Sequence, residues 1–195
     1  LAQIQEDGAT ETMHDPHRRQ VPWRALFLNR NSGLLMVQYF ASNFTFFICF
    51  SWLLPYLKDH YQLSATQAGM YASIPLYFGA VANWISGMAV DFIYRRGHWR
   101  FSRLFPAIFG FSLAAFSLIA VANMPTALGA AVCFALATFG VDLTLSPSWA
   151  ACIDLGGAYT GTLSGGMNMI GNLGSFVIRG RRNSFQETFP DEGDV

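Results

Sequence analysis

A polar lead, residues 1–32, gives way at Gly33 to apolar runs that recur, with short polar joints, almost to the end of the chain. Five runs stand out: Gly33–Leu57, Ala68–Val90, Leu104–Ala122, Thr126–Cys152 and Tyr159–Ile178. A helix needs about 20 predominantly apolar residues to cross a bilayer, and each run is close to that length. The joints are Lys58-Asp59-His60-Tyr61, the stretch from Arg95 to Arg103, Asn123-Met124-Pro125, and Asp154 to Ala158. The pattern predicts an all-α, polytopic bundle of five transmembrane helices over 33–178, with a charged tail at 179–195. In the lead, Val21-Pro22-Trp23 reads as the start of a short interfacial helix. Trp23 and Phe27 are expected at the headgroup level, where amphipathic rings collect.

Composition agrees with that class. Charged residues make up 12% of the chain, against about 25% in soluble domains. Positive and negative side chains balance at 12 each, so nucleic acid is not an expected partner; membrane lipid is. Cys49, Cys133 and Cys152 lie in or beside apolar runs without metal-ligand spacing and read as small packing residues. His14, His17, His60 and His98 form no metal set. There is no phosphate loop and no Ser/His/Asp arrangement. The expectation is no cofactor, no metal and no catalytic residue.

Basic residues set the topology. Arg18, Arg19, Arg24 and Arg30 precede the first run, and Arg95, Arg96, Arg100 and Arg103 lie between the second and third. Two crossings separate the clusters, so they share a side, which the positive-inside rule makes cytoplasmic. Five crossings then leave Arg179, Arg181 and Arg182 on the outer face, against the rule. The expectation drawn from this is that the native sequence is lost near Val177 by truncation or frameshift. A natural charged tail is the alternative. The chain also opens on Leu1 with no signal-peptide core, which reads as a fragment whose start lies upstream.

Asp142 is the ionisable group of the fourth run. An acid at the centre of a membrane helix costs about 2.5–3.5 kcal/mol on insertion scales. Such a residue faces a protein interior or a watery path. In a continuous helix Asp142, Ser146 and Trp149 share one face and would wall such a path; an acid pinning two helices together is the plainer reading. No Lys or Arg lies in any run, so a neutral or hydrogen-bonded Asp142 is expected. Pro147 removes a backbone bond and predicts a kink. Asn168 and Asn172 share a face of the fifth run, beside a Gly157, Gly161, Gly165 stripe that reads as helix packing. On the first run Tyr39 and Asn43 share a face with Phe46, Phe47 and Phe50. Asn83 reads as a bridge between helices. Asn43-Phe44-Thr45 fits a glycosylation pattern but lies within a run.

The second run ends in Gly87-Met88-Ala89-Val90-Asp91, followed by Arg95 and Arg96. Asp91 and Arg95 are spaced to pair across one turn. This pattern at a cytoplasmic turn resembles the loop motif of the major facilitator superfamily. Pro147-Ser148-Trp149-Ala150, Asp154, Gly161-Thr162, Ser164-Gly165, Asn168 and Gly171-Asn172-Leu173-Gly174 resemble helices ten and eleven of its anion:cation symporter family, whose members carry hexuronates, sugar acids, phthalate and sialic acid. Tyr39, Asn43 and Trp52-Leu53-Leu54-Pro55-Tyr56-Leu57 are similar to helix seven.

The resemblance covers about residues 21–177. It implies an interdomain segment (1–32) and helices seven to eleven of a twelve-helix transporter. The implied function is secondary active symport of a small organic anion, such as a hexuronate, with a proton or sodium ion, by alternating access. It requires an N-terminal half as partner and places the protein in a bacterial inner membrane. By the resemblance Ser146, Trp149 and Asn168 touch substrate; Tyr39, Asn43 and Asn172 are further candidates. Asp142 is a coupling candidate, and Gly87, Asp91, Arg95 and Arg96 form a gate latch. Two rivals remain. One is an assembly subunit that docks through the glycine stripe. The other is a membrane enzyme using Asp142, which would need a second acid, a His or a metal at the same depth.

Overall fold

The structure, a computed structural model, describes residues 23–188. Most of the polar lead, with Arg18, Arg19, His14 and His17, lies outside the described residues, as does the tail at 189–195. The described residues are helical almost throughout, with no strand. A short helix α1 (Trp23–Phe27) leads into α2 (Arg30–Tyr61), α3 (Ala65–Arg95) and α4 (Trp99–Val121). Then come α5 (Ala127–Leu143), α6 (Leu145–Gly156), a 3-10 turn at Gly157–Tyr159, and α7 (Thr160–Thr188).

Four stretches are long and apolar enough to cross a membrane: Arg30–Tyr61, Ala65–Arg95, Arg100–Val121 and Ala127–Phe176. The last has 50 residues, about twice what one crossing needs, and it holds the fourth and fifth expected spans. Gly157 divides them. It takes φ +50°, a conformation that glycine adopts without steric cost, and Gly156 beside it packs on Thr160 and Leu163. The starts follow local sequence. Ser64 and Gln67 form a reciprocal capping box at α3, and Thr126 caps Gly129 N at 3.2 Å in α5. Each satisfies a backbone donor that the first turn leaves free.

The bundle is apolar on both its faces. Met70, Tyr77, Trp84, Met88 and Phe92 stand exposed along α3, as do Phe105, Phe109, Phe116 and Ile119 along α4. These large side chains suit lipid. The interior is made of smaller ones. α5 is its axis, packed along both α3 and α4, with Ala130, Ala131, Ala135 and Ala137 fully buried. Lipid tails are as apolar as Leu, so helices in a membrane associate by close packing and polar contacts rather than by expelling water. The closest approach is where α4 meets α5. A Cβ on Gly110 would strike the Gly140 carbonyl, and one on Gly140 would strike the Gly110 carbonyl and lie 2.9 Å from Ala114 N.

Two apolar clusters lie toward opposite ends of α2. One joins Cys49, Leu53 and Leu57 of α2 to Ala68, Val121, Cys133 and Phe134. The other joins Leu26, Leu35, Met36 and Tyr39 to Cys152, Leu163 and Met167. All three cysteines are buried and unpaired. Trp23 stays exposed, while Phe27 packs inward on α7. Its ring fills the space that Gly166 leaves on α7.

Candidate functional site

Between the two clusters lies a layer of buried hydroxyls, set by a break in the fourth span. The expected kink lies at Thr144, three residues before Pro147, where the regular helical bonding lapses for one residue while the backbone stays near helical. Proline has no N–H, so the carbonyl four residues back loses its partner. That carbonyl is Leu143. It accepts instead from Ser86 Oγ of α3 at 2.6 Å, with Ser86 fully buried. A second set of bonds crosses from α2. The Ser148 hydroxyl is shared between the Thr144 carbonyl at 2.5 Å and Gln38 Oε1 at 2.7 Å, and Gln38 Nε2 donates to Ser42 Oγ at 3.2 Å. Ser42 and Thr144 hydroxyls meet at 2.8 Å, and Thr144 Oγ1 donates to the Val141 carbonyl at 2.7 Å.

One helical step from Ser42, the aromatic and amide candidates assemble. Tyr39 OH donates to Asn168 Oδ1 at 3.2 Å across α2 and α7. The Trp149 ring of α6 meets Tyr39 edge-on, with centroids 6.1 Å apart. Asn43 Nδ2 donates to the Tyr39 carbonyl at 2.9 Å, and Asn172 Nδ2 to the Asn168 carbonyl at 2.9 Å. Gly171 leaves room for this group: a Cβ there would come within 2.8 Å of the Tyr39 ring and 3.0 Å of Asn43 Nδ2. Tyr39 is buried, while Asn168 and Asn172 are exposed on α7. The site is therefore a braced phenol with an open shelf of neutral amides.

Asp142 and Ser146 stand elsewhere. The break divides the face they were expected to share with Trp149. Asp142 is turned to α3, where its carboxylate abuts Gly79. Asn83 Nδ2 donates to the Gly79 carbonyl at 3.1 Å, a bond within α3 rather than the expected bridge between helices. Ser146 Oγ lies against Gly87, 4.0 Å from where a Cβ would sit.

The motif at the end of α3 is solvent-exposed at Asp91, Arg95 and Arg96. The pairing expected between Asp91 and Arg95 does not form. An exposed pair gains little for the side-chain entropy that it costs, and Arg96 instead lies over the Phe92 ring at 4.1 Å. The salt bridge present among the described residues is Arg103 to Asp154, 2.9 Å, tying the start of α4 to α6. Sequence spacing gave no sign of this pair, 51 residues apart. It puts both residues at one end of the bundle, as the arginine-derived topology requires.

The glycine stripe meets no neighbouring helix among the described residues. Nothing in the described structure approaches within 4 Å of a Cβ built at Gly157, Gly161 or Gly165. A cleft of about 850 Å³ opens between α2 and α3, lined by Phe46, Phe47, Phe50, Ser73, Pro75 and Thr138 among others. The phenylalanines thus face a different space from Tyr39 and Asn43.

Comparison with known proteins places these features in a family. The sequence model described as Major Facilitator Superfamily matches residues 5–178. The chain is 32% identical over 151 residues to "Probable sulfoacetate transporter SauU" of Cupriavidus necator, covering 75% of this chain and 34% of that protein. It is 29% identical over 172 residues to "Probable L-galactonate transporter" of Escherichia coli, covering 87% and 37%. It is 29% identical over 186 residues to "Probable galactarate/D-glucarate transporter GudP" of Bacillus subtilis, covering 91% and 40%. The chain thus spans between a third and two fifths of the length of these relatives. No solved structure matches it.

Proposed function

The chain belongs to the major facilitator superfamily and is an integral, multi-pass membrane protein, and on that premise we propose that it forms part of a symporter for a small organic anion. The substrate class is a hydroxylated acid such as a hexuronate or another sugar acid. Relatives named for galactonate, galactarate and glucarate support this choice; one named for sulfoacetate marks its outer edge. In this reading α2 to α7 correspond to helices seven to eleven of twelve. The lead is the interdomain segment, and the charged stretch after Ile178 begins within α7, which runs on to Thr188. An N-terminal half completes the cavity, and substrate binds between halves near midplane, where transporters of this kind hold it. The membrane is a bacterial inner membrane.

The observation that carries the reading is the meeting of Tyr39, Trp149 and Asn168 on three helices, with Asn43 and Asn172 one turn along α2 and α7. Neutral amides donate to and accept from hydroxyls without demanding a counter-charge. An indole offers one N–H and a flat apolar face. That combination suits the hydroxylated carbons of a sugar acid. The carboxylate requires a cation, which the other half would supply. Asp142 and Ser146, on the α3 side, are assigned to ion coupling and to lining the path. Gly87, Asp91, Arg95 and Arg96 serve as the cytoplasmic latch, with Arg103–Asp154 bracing the same end. No covalent step is involved. The assembly-subunit alternative leaves the Tyr39–Asn168 arrangement without a purpose.

Uptake of radiolabelled galactonate and glucarate by cells producing the full-length transporter tests this. Replacing Trp149 or Asn168 with Ala is expected to lower uptake about tenfold, the loss of one good polar or stacking contact. Asp142→Asn is expected to abolish dependence on the ion gradient while leaving substrate binding. Full uptake in the Trp149 and Asn168 variants would remove the site, and an unchanged gradient dependence would remove the coupling role.

A further inference from the structure

The hydroxyl layer has a direction and a geometry that the substrate reading does not use. Thr144 Oγ1 donates to the Val141 carbonyl, so its contact with Ser42 is made as acceptor. Ser42 in turn accepts from Gln38, whose Oε1 stands 2.7 Å from the Ser148 hydroxyl; that hydroxyl also reaches the Thr144 carbonyl at 2.5 Å. The contacts therefore link α6, α2 and α5. Ser148 spans the interruption from within, and Gln38 and Ser42 splint it from outside. On the opposite side Ser86 closes the carbonyl that Pro147 leaves open. Ser42, Ser86, Thr144 and Ser148 are all buried, at 0–4% exposure. Buried hydroxyls are costly unless paired, and here each has a partner.

We propose that Thr144, with Gln38 and Ser42, is the positioning joint of the proposed site: it fixes the angle between α5 and α6 and so sets where Trp149 stands against Tyr39. Trp149 is five residues past the break and moves with α6, whereas Tyr39 is carried by α2, the helix that splints it. Loss of the splint frees α6 from its register on α2 while α5 stays anchored by its glycine contact with α4. This consequence for substrate rests on the transport reading; the joint itself does not.

The buried cysteines report on it without any substrate. Cys152 is on α6, Cys133 on α5 and Cys49 on α2. The membrane-embedded protein is treated with N-ethylmaleimide and the labelling rate read at each cysteine by mass spectrometry. Thr144→Val keeps the methyl that packs beside Gly110 and removes the hydroxyl. It is expected to raise labelling of Cys152 about tenfold, the factor that one or two hydrogen bonds contribute. Cys49 and Cys133 are expected to stay within about twofold. Thr144→Ser is expected to restore the wild-type pattern. Gln38→Met, which cuts the same run at α2, reproduces Thr144→Val and serves if that variant does not accumulate. An unchanged Cys152, an equal rise at all three cysteines, or failure of Ser to rescue would each overturn the joint. In the uptake assay Thr144→Val is expected to lower kcat more than it raises KM. A protein that carries no sugar acid would remove the transport reading while the labelling still decided the joint.

Discussion

The fourth span is held in two unlike ways along its length. Where α4 meets α5, the contact is made at backbone distance: Gly110 and Gly140 bring two main chains together, flanked only by the methyls of Thr144 and Ala114. Where α2 and α3 meet the break, the contact is almost entirely hydroxyl and amide, running through Gln38, Ser42, Ser86, Thr144 and Ser148. Both satisfy the same requirement, since burial of apolar surface holds no helices together in lipid. They differ in what they permit. Backbone packing tolerates no extra volume and has one arrangement. Hydroxyl bonds can be exchanged for others at a cost of about 1 kcal/mol each. The rigid contact belongs to a helix that serves as axis, and the exchangeable one to the proposed joint that sets the angle between two segments.

This contrast can be broken at its rigid end first. Gly140→Ala places a methyl against the Gly110 carbonyl and Ala114 N. Overpacking of a tight interface costs about 1–3 kcal/mol, and unfolding of the purified protein in mixed micelles should show it as the largest loss. The exchangeable end gives a smaller and conditional effect. Ser86→Ala should cost about 1–2 kcal/mol, because it leaves the Leu143 carbonyl buried and unpaired. In a Pro147→Ala background the helix supplies its own N–H to that carbonyl, and the same Ser86 change should cost close to nothing. A double-mutant cycle reads the difference; equal costs in both backgrounds would show that Ser86 does not close the proline gap. The smallest effect sharpens the comparison by sign. Gly161 has open space around it, so Gly161→Ala should leave stability unchanged or raise it by about 0.5 kcal/mol through helix propensity. A loss there as large as at Gly140 would mean that the stripe packs on something.

Much of this was legible in the apolar pattern. The spans follow from run length, because a bilayer fixes it, and the family from the resemblance carried by the Gly87–Arg96 motif and the string from Pro147 to Gly174. Tyr39, Asn43, Trp149 and Asn168 were picked out one at a time, and the fold brings them together. What sequence could not supply was the effect of the break. Treating 126–152 as one helix put Asp142 and Trp149 on one face, whereas the interruption at Thr144 gives Asp142 to α3 and Trp149 to α2. Proline signals at its own position but acts four residues earlier. The place to look was therefore Leu143, and for a hydroxyl elsewhere in the chain to reach it. Ser42, Ser86, Thr144 and Ser148 carry no individual mark among apolar neighbours. The Gly157-Gly161-Gly165 spacing, by contrast, looked like a packing motif, yet the tight contact uses the isolated Gly110 and Gly140. Spacing describes a face, and only the partner decides whether the face is used.

The Leu143 carbonyl also has a history in time. Chains are made from the N-terminus, and the early parts settle first. Ser86 precedes Leu143 by 57 residues, so α3 is already in the bilayer when the ribosome reaches the proline. The broken span enters beside a helix that holds its missing donor ready. An order of synthesis that placed Pro147 before Ser86 would leave a bare carbonyl waiting in hydrocarbon. The defect in the later helix is thus one that the earlier helix is built to receive.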